Sequence, residues 1–178
     1  MGKTPAQKTY AKFFKEKYGG ITATQNTWCY TVAAHKQLTL PWGMTFFFPE
    51  AEMNKFGRLN VLTNVSNYPI QSLATAEIIP IALIYFWYRI EGTSITILNT
   101  IHDSIVTLFK KQDTEVFETI AKTALTHDVF KHLSQVYKYD FKVPLGVGIK
   151  TARNWGDSKL EIIYSVTADG KEKKTIKK

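Results

Sequence analysis

The sequence of 178 residues predicts a mixed α+β fold, and three observations support this class. Apolar residues recur at helical spacing in long segments, notably after Pro69 and again after Asp113. Shorter runs rich in β-branched and aromatic residues lie between these segments and end at turn-forming residues. Neither internal repeats nor a Gly/Ser-rich linker divides the chain, so we expect one packed unit.

The first 36 residues are predicted to form two helices. Thr4 can cap the first helix, and Pro5 fits its first turn because that position needs no N–H donor. Aromatic residues follow at helical spacing until Gly19-Gly20, which is expected to end this helix. The second helix is expected from Thr22 to Lys36.

A hairpin and a long helix are predicted next. The runs on either side of Pro41-Trp42-Gly43 are β-prone, and residues 50–57 are expected to form an exposed loop. From Pro69 a wide apolar stripe predicts a long helix that Gly92 closes. Pro80 lies inside this stripe, so the helix should kink there or leave one carbonyl unpaired.

The pair His102-Asp103 separates two apolar, β-prone runs, SITILNTI and SIVTLF. We expect a β-hairpin whose two-residue connection is this pair. A buried strand does not tolerate an unpaired carboxylate, so Asp103 should sit at a turn, against a cation, or both. A divalent metal ion would explain the placement, because hard cations prefer carboxylate oxygen. The alternative is an ordinary turn aspartate that hydrogen-bonds its own backbone.

The last third of the chain is predicted to contain a helix and two strands. The helix should run from Thr114 to about Val136, with Asp113 as a candidate cap. One strand is expected in residues 141–149 and another in residues 159–166, with a turn at 152–157 between them. The basic tail, KEKKTIKK, is expected to be solvated and mobile.

The charge and the single cysteine limit the possible function classes. Lysine and arginine outnumber the acids 23 to 15, which gives a net charge of +8 and a pI near 9.4. Such a balance favours polyanionic partners, although scattered surface lysines produce a similar number in unrelated domains. One cysteine, Cys29, excludes an internal disulfide or a cysteine zinc cluster. Its neighbours Trp28 and Tyr30 favour a small core residue over a nucleophile.

The sequence gives no sign of a secretory signal or a membrane span. Its N-terminus is rich in lysine and has no apolar core. The longest apolar run, Ile78 to Tyr88, is shorter than the roughly 20 residues that cross a bilayer. We therefore expect a soluble protein with no membrane partner.

Five segments resemble, in their order and spacing, the C-terminal part of family A DNA polymerases, the family of bacterial DNA polymerase I and many phage replicases. The segments are PAQKTYAKFFKEKYGG, LPWG…FFFP, NYPIQSLATAEII, TIHDSIV and VPLGVGIKTARNW. The resemblance covers about Thr4 to Asp157, and NYPIQ paired with IHDS is its most specific part. It implies an antiparallel palm-like sheet that carries a catalytic hairpin and packs against long helices. Residues 1–157 would be the fingers/palm portion, and residues 158–178 an extra strand and a basic tail.

The resemblance also implies roles for particular residues. Asp103 matches the motif C aspartate, which holds the catalytic Mg²⁺ ions in this family, and His102 would lie near the primer terminus. Asn67 and Gln71 match the N-x-P-x-Q residues that contact primer-template in the minor groove. Arg58 falls where the family places basic residues toward the duplex. From the local pattern alone, Asn67 would cap the long helix and Gln71 would be exposed one turn later.

Two departures from the family pattern shape the functional hypothesis. Ser104 stands where the family usually has a glutamate, and the motif A aspartate and the fingers helix have no counterpart in the sequence. Phosphoryl transfer by two metal ions needs carboxylates from both motifs. The chain is therefore expected to supply half of a polymerase site, completed by an N-terminal polymerase fragment. Either a split polymerase gene or truncation of a longer polymerase would produce such a chain, and Met1 does not distinguish the two. Primer-template DNA and dNTP would be the other partners, in the cytoplasm of a cell or of a phage host.

Two rival hypotheses remain. A non-catalytic DNA-binding or assembly subunit derived from such a palm would explain Ser104 and the absent motifs. Retention of Asp103, His102, Asn67 and Gln71 together favours the catalytic hypothesis. An unrelated basic α+β binding module is the third possibility.

Overall fold

The computed structural model describes residues 4–154 and 160–177. Helices and antiparallel strands are both present, which confirms the α+β class. The chain divides into two compact units, Met1–Gln71 and Ser72–Lys178, where the sequence predicted one.

The first unit begins with the predicted pair of helices, although their boundaries differ. Helix α1 spans Pro5–Ala11, a π-helical segment spans Lys12–Lys17, and α2 spans Gly19–His35. The predicted cap is confirmed, because the Thr4 hydroxyl accepts a hydrogen bond from the Gln7 amide at 3.3 Å. Gly19 starts α2 instead of ending α1, and Tyr18 supplies the irregular backbone between them.

A short hairpin follows α2, as predicted. Strand β1 spans Gln37–Thr39 and pairs antiparallel with β2, Thr45–Phe47. Gly43 has φ 94°, a left-handed value that suits glycine in the turn between them. Residues 50–57 form a loop with no helix or strand, as predicted, and the loop is exposed except at Ala51, which is buried.

The core of the first unit lies between α2, this hairpin and the next helix. Cys29 is buried, as expected, and burial raises the pKa of its thiol. A raised pKa keeps the thiol protonated, which agrees with an inert core residue rather than a nucleophile. The buried members of this core are Cys29, Val32, Leu38, Leu40, Phe48, Ala51, Leu59 and Val65.

The long helix starts seven residues before its predicted start. Helix α3 spans Leu62–Gln71, a π-helical segment spans Ser72–Glu77, and α4 spans Ile78–Ile90. The expectation that Pro69 opens the helix is wrong: Pro69 lies inside α3. Burial explains this outcome, because Val65 and Pro69 are buried at i and i+4 on one face. Pro80 lies in α4, and the π-helical segment precedes that helix, so the kink or unpaired carbonyl expected at Pro80 stays a prediction.

The second unit continues with a hairpin and a helical segment of the predicted length. Strand β3 spans Thr96–Ile101 and β4 spans Ser104–Leu108. Helix α5 spans Thr114–Lys122, a π-helical segment spans Thr123–His127, and α6 spans Asp128–Gln135. Asp113 occupies the cap position but makes no side-chain cap, because its carboxylate accepts a hydrogen bond from Ser94 instead.

Three antiparallel strands form the C-terminal sheet, in the order β5-β6-β7. They span Leu145–Thr151, Leu160–Val166 and Glu172–Lys177. The strand predicted in residues 141–149 therefore begins four residues later. The predicted turn at 152–157, including Trp155, falls partly outside the described residues.

The expectation of a mobile tail is wrong, because the tail is strand β7. Its backbone pairs with β6 from Val166↔Glu172 to Glu161↔Lys177. The side chains of residues 172–176 are exposed, as a solvated tail would be, so composition alone gave no sign of pairing. Lysines at a sheet edge also discourage further strand addition.

The second unit buries two neighbouring sets of apolar residues. Phe86 and Ile90 of α4 pack with Phe117 of α5 and with the inward face of the C-terminal sheet. Arg89 also ties α4 to α6 through two hydrogen bonds to the Asp128 carboxylate, one of them 2.8 Å long. The sheet contributes Val147, Ile149, Ile162 and Tyr164, and the second set consists of Ile81, Ala82, Val129 and Leu133.

One helix in the described part of the chain is long and apolar enough, by length and composition, to cross a bilayer. It is Leu62–Ile90, with 29 residues and a mean hydropathy of 1.4 in a window that is 22% buried. The sequence-based estimate considered only Ile78–Tyr88 and so missed the helical residues before it. In α4, Ile81, Ala82, Phe86 and Ile90 are buried within the second unit, whereas Ile84, Trp87 and Tyr88 are exposed.

Candidate functional site

The hairpin predicted around His102-Asp103 is confirmed. Ile101 of β3 pairs with Ser104 of β4, which leaves a connection of two residues. The register shifts between Ile97 and Asn99, so a β-bulge lies part-way along β3. The apolar runs on either side therefore fold back on each other and place the two polar residues at the tip.

The backbone at this tip is unusual at His102, whose φ is 53°. This is the left-handed region, which non-glycine residues seldom adopt and which costs on the order of 1–2 kcal/mol. A tight two-residue connection requires such a conformation, and a glycine there would adopt it at no steric cost. The chain instead keeps a histidine in a strained position, which is an arrangement that clusters at functional sites.

Asp103 avoids the cost of a buried carboxylate because it is exposed at the tip. Among residues 4–154 and 160–177, no hydrogen bond or ion pair engages its side chain. Ser104, which follows it, is exposed as well. The carboxylate is thus available to an external cation or to a group from another molecule.

A complete metal site is not assembled around Asp103 by the described residues. They contain no group of three or more His, Cys, Asp or Glu side chains placed to hold one ion. One carboxylate beside a hydroxyl is a hard oxygen donor set that suits Mg²⁺, but Mg²⁺ seeks six oxygen ligands. The donor chemistry fits, and the number of ligands requires contributions from elsewhere.

Both strands of this hairpin are edge strands, since β3 and β4 form a two-stranded sheet. The exposed fractions of Leu98 and Leu108 are 59% and 61%, and that of Ile101 is 39%. An isolated pair of strands is only marginally stable in water, and apolar side chains normally cover one face. The hairpin therefore presents apolar side chains and an unpaired strand edge beside the candidate site.

Asn67 and Gln71 lie one turn apart on α3, and both are exposed. The exposure predicted for Gln71 is confirmed, whereas the expected capping role of Asn67 is wrong. Asn67 is the sixth residue of α3, because burial of Val65 and Pro69 extends the helix toward Leu62. Its side-chain amide therefore lies on an exposed helix face and does not cap the helix.

Arg58 lies on the exposed loop before α3. Asn54 organises this loop: its side-chain oxygen accepts a hydrogen bond from the Arg58 amide at 3.0 Å. The guanidinium is left exposed at the surface. Arg58, Asn67 and Gln71 all belong to the first unit, whereas His102 and Asp103 belong to the second.

A charged cluster in the second unit was not predicted. Lys122 and Lys174 place their ammonium groups 5.5 and 5.3 Å from the centre of the Tyr164 ring. The Tyr164 hydroxyl donates to Glu118 at 3.2 Å. Hydrogen bonds from Lys122 and His127 lower the pKa of Glu172. This cluster borders a groove of about 720 Å³ and includes residues from β6 and β7.

A period-two alternation of side chains in the C-terminal residues would have predicted strand β7 and, with it, this charged cluster. Glu172, Lys174 and Ile176 alternate with residues of the opposite face, as expected for a strand. High lysine content hid that alternation. Because opposite charges are evenly mixed in the cluster, it carries no clear preference for an anion.

The family profile described as DNA polymerase family A matches residues 1–157. The chain belongs to DNA polymerase family A. The match covers both candidate elements, the α3 face with Asn67 and Gln71 and the hairpin with His102-Asp103. None of the curated proteins or solved structures compared with the chain matches it.

Membership in family A establishes a DNA polymerase-related role and points to DNA and nucleotides as substrates. The matched residues end at 157, which is also where the resemblance in the sequence ended. Strands β6 and β7 lie beyond that match.

Proposed function

We propose that the chain is the C-terminal subunit of a split, phage-type family A DNA polymerase. It would supply the motif C carboxylate and primer-template contacts, while an N-terminal chain would supply motif A and the fingers. The observation that carries this proposal is the exposed, unengaged carboxylate of Asp103 at the tip of an HD hairpin within the family match.

The metal chemistry of the proposed site depends on both chains. Asp103 would hold Mg²⁺ through one carboxylate, with the remaining ligands coming from motif A, water and the nucleotide phosphates. Bound metal ions would neutralise the charge that develops during phosphoryl transfer. The present chain would contribute the Asp103 carboxylate to this metal site, held at the solvent-accessible tip of the β3-β4 hairpin.

The DNA contacts are assigned to groups with suitable chemistry. The side-chain amides of Asn67 and Gln71 both donate and accept hydrogen bonds, and base edges in the minor groove offer matching acceptors and donors. Arg58 would neutralise a backbone phosphate. His102 would lie beside the primer terminus, held by the strained turn.

The open hairpin supports the need for a partner chain. A strand from an N-terminal polymerase fragment would pair with an edge of β3-β4 and extend the palm sheet. The high aromatic content of the chain suggests that some rings pack across this interface, with Trp28, Trp42, Phe46, Phe47, Phe48, Trp87 and Trp155 as candidates. Phe47 and Trp87 are 72% and 64% exposed, Phe48 is buried, and Trp155 lies outside the described residues. Trp28, Trp42 and Phe46 are half-buried. Assembly would take place in the cytoplasm, or in the host cytoplasm of a phage.

A second candidate function is a non-catalytic DNA-binding or assembly subunit derived from a family A palm. Ser104 favours it, because the usual acidic neighbour of the motif C aspartate is absent. The two candidates differ in one respect that an assay can measure, namely whether nucleotide incorporation depends on Asp103.

Primer extension by the chain combined with an N-terminal fragment carrying motif A tests the proposal. We expect no incorporation by the chain alone, incorporation by the pair, and loss of incorporation with Asp103→Asn. The substitution removes the charge but keeps the shape, so the fold should be unchanged by circular dichroism.

A matched control is Asp140→Asn, because Asp140 is also an exposed aspartate, and it pairs with Lys142 at 3.2 Å. This variant should retain full incorporation. Wild-type turnover with Asp103→Asn would refute the catalytic role, and DNA binding that persists without turnover in the wild-type pair would favour the non-catalytic subunit.

A further inference from the structure

Four aromatic rings form a continuous series along α1, the π-helical residues that follow and Tyr18, which comes directly after them. The ring ladder consists of Tyr10, Phe14, Phe13 and Tyr18, in spatial order. Successive ring centres are 4.7, 5.0 and 4.7 Å apart. These separations lie in the range of favourable aromatic pairs.

One contact of the ladder, between Phe13 and Tyr18, follows from the π-helical backbone of Lys12–Lys17. The amide of Tyr18 donates to the Phe13 carbonyl at 2.9 Å, a five-residue step that brings these two rings into contact at an interplanar angle of 53°. Tyr10 and Phe14 are four residues apart, which brings their rings together on a helix. An uninterrupted α-helix would also place these four residues on one face, but it would bring Tyr18 next to Phe14, whereas the π-turn brings it next to Phe13.

These rings are not part of a core. The exposed fractions of Tyr10, Phe13 and Tyr18 are 61%, 46% and 37%, and α1 contains no buried residue. Aromatic side chains usually bury a large area, so several exposed rings in contact with one another form a surface that favours a ligand.

Positive charges accompany the rings. Residues 5–18 contain four lysines and one glutamate. The Lys17 ammonium lies 5.2 Å from the centre of the Tyr18 ring. Lys12, Phe13, Glu16 and Lys17 line a groove of about 450 Å³, so ring and cation share one face. This mixture argues against a bilayer, which requires a continuous apolar face.

We propose that the ring ladder binds single-stranded nucleic acid. Bases would stack on the exposed rings while Lys8, Lys12 and Lys17 neutralise the phosphates, which is the combination that sequence-independent single-strand binders use. The surface uses none of the residues assigned to primer-template contact or to metal binding. It therefore does not depend on the polymerase activity proposed above.

Fluorescence anisotropy of a labelled oligothymidylate with the full chain tests the proposal. Phe13→Leu keeps an apolar side chain but removes the ring, and we expect affinity to fall about fivefold or more. Phe13→Tyr keeps a ring and should bind within about twofold of the wild type. Tyr30→Ala is the matched control, because Tyr30 is a 67% exposed ring of the same unit outside the ladder.

The salt dependence of binding tests the lysines. Lys12→Gln and Lys17→Gln should each weaken binding and reduce the slope of affinity against salt by about one phosphate contact. Lys131→Gln, an exposed lysine of α6, should leave the slope unchanged. Unfolding by urea should be alike in all variants, which separates loss of binding from loss of fold.

Three results would overturn the proposal. The first is equal oligothymidylate affinity for Phe13→Leu and the wild type. The second is binding of anionic vesicles, and not of the oligonucleotide, that is lost with Phe13→Leu. The third is concentration-dependent self-association that Phe13→Leu abolishes while oligonucleotide binding is absent.

Discussion

At the scale of single residues, the tip of the β3-β4 hairpin combines strain and exposure. His102 holds a left-handed φ of 53°, and Asp103 next to it is exposed. The sequence predicted that both residues lie in a turn, because a pair of polar residues between two β-prone runs is typical of a β-hairpin connection. It did not reveal which of the two would take the strained conformation.

The strain at His102 can be measured with two substitutions. The free energy of unfolding of His102→Gly should lie within about 0.5 kcal/mol of the wild-type value, because relief of left-handed strain offsets the added flexibility of the unfolded chain. His102→Val should be at least about 1 kcal/mol less stable than His102→Gly, because branched side chains rarely adopt positive φ. Amide hydrogen exchange of β3 and β4 reports this difference, and equal protection in both variants would contradict it.

Ser104 tests how far the site depends on a second acid. If the missing carboxylate only lowers metal affinity, Ser104→Glu should leave incorporation by the reconstituted pair equal or higher, most visibly at low Mg²⁺. A titration of incorporation rate against Mg²⁺ measures the effect, with Ser104→Ala as the control for loss of the hydroxyl. A collapse of activity with Ser104→Glu would mean that the site has been rebuilt around the serine.

At the scale of helices and strands, the periodicity of apolar residues predicts most elements. Burial and high lysine content explain the elements that were misplaced or missed. The α3 boundary was misplaced because Pro69 usually marks a helix start, while burial of Val65 and Pro69 stabilises the helix through it. Asn67 was assigned as a cap for the same reason. Strand β7 was missed because lysine content masked its pairing with β6. The first error arises from burial against residues distant in sequence, such as Val32 and Leu38, which local patterns do not contain. The second does not, because β7 pairs with the adjacent strand β6, starting at Val166↔Glu172.

A hydrogen bond links the π-helical segment Ser72–Glu77 to the residues after α6. The Tyr137 hydroxyl donates to Glu77 at 2.6 Å, and this bond raises the pKa of Tyr137 to about 12. Because the folded pKa exceeds the unfolded value near 10, the folded state holds the proton more tightly. The stabilisation that the Tyr137–Glu77 hydrogen bond gives the fold is complete below pH 10 and is lost as the pH rises toward 12.

This pH dependence predicts the behaviour of Tyr137→Phe. Between pH 10 and 12 the free energy of unfolding should fall more steeply in the wild type than in the variant, because the variant has no hydroxyl to ionise. Urea unfolding at a series of pH values measures both slopes. The exposed Tyr88 supplies a control, since Tyr88→Phe should keep the wild-type slope. Identical slopes for the wild type and Tyr137→Phe would contradict the assignment.

At the scale of the whole molecule, residues beyond the family match belong to the folded core. Ile162 and Val166 of β6 are 6% and 0% exposed, and burial of two such side chains stabilises a fold by about 3–6 kcal/mol. Typical domains have a total stability of about 5–15 kcal/mol. Truncation after residue 157 should therefore abolish cooperative unfolding of the second unit, as measured by near-ultraviolet circular dichroism during urea unfolding.

A shorter truncation provides the control. Removal of residues 172–178 deletes β7, whose side chains at 172–176 are exposed, so the second unit should remain folded with a modest loss of stability. If the truncation after residue 157 unfolds as cooperatively as the full chain, β6 does not contribute to the core in the way described.

The pairing of β5 with β6 also has an evolutionary consequence. Val147 lies opposite Tyr164, and Ile149 lies opposite Ile162, so each pair joins one residue inside the family match to one outside it. A change of side-chain volume on one strand requires a compensating change on the other. Descendants of this sequence should therefore show covariation across residue 157, and natural recombination at that point should seldom yield viable offspring.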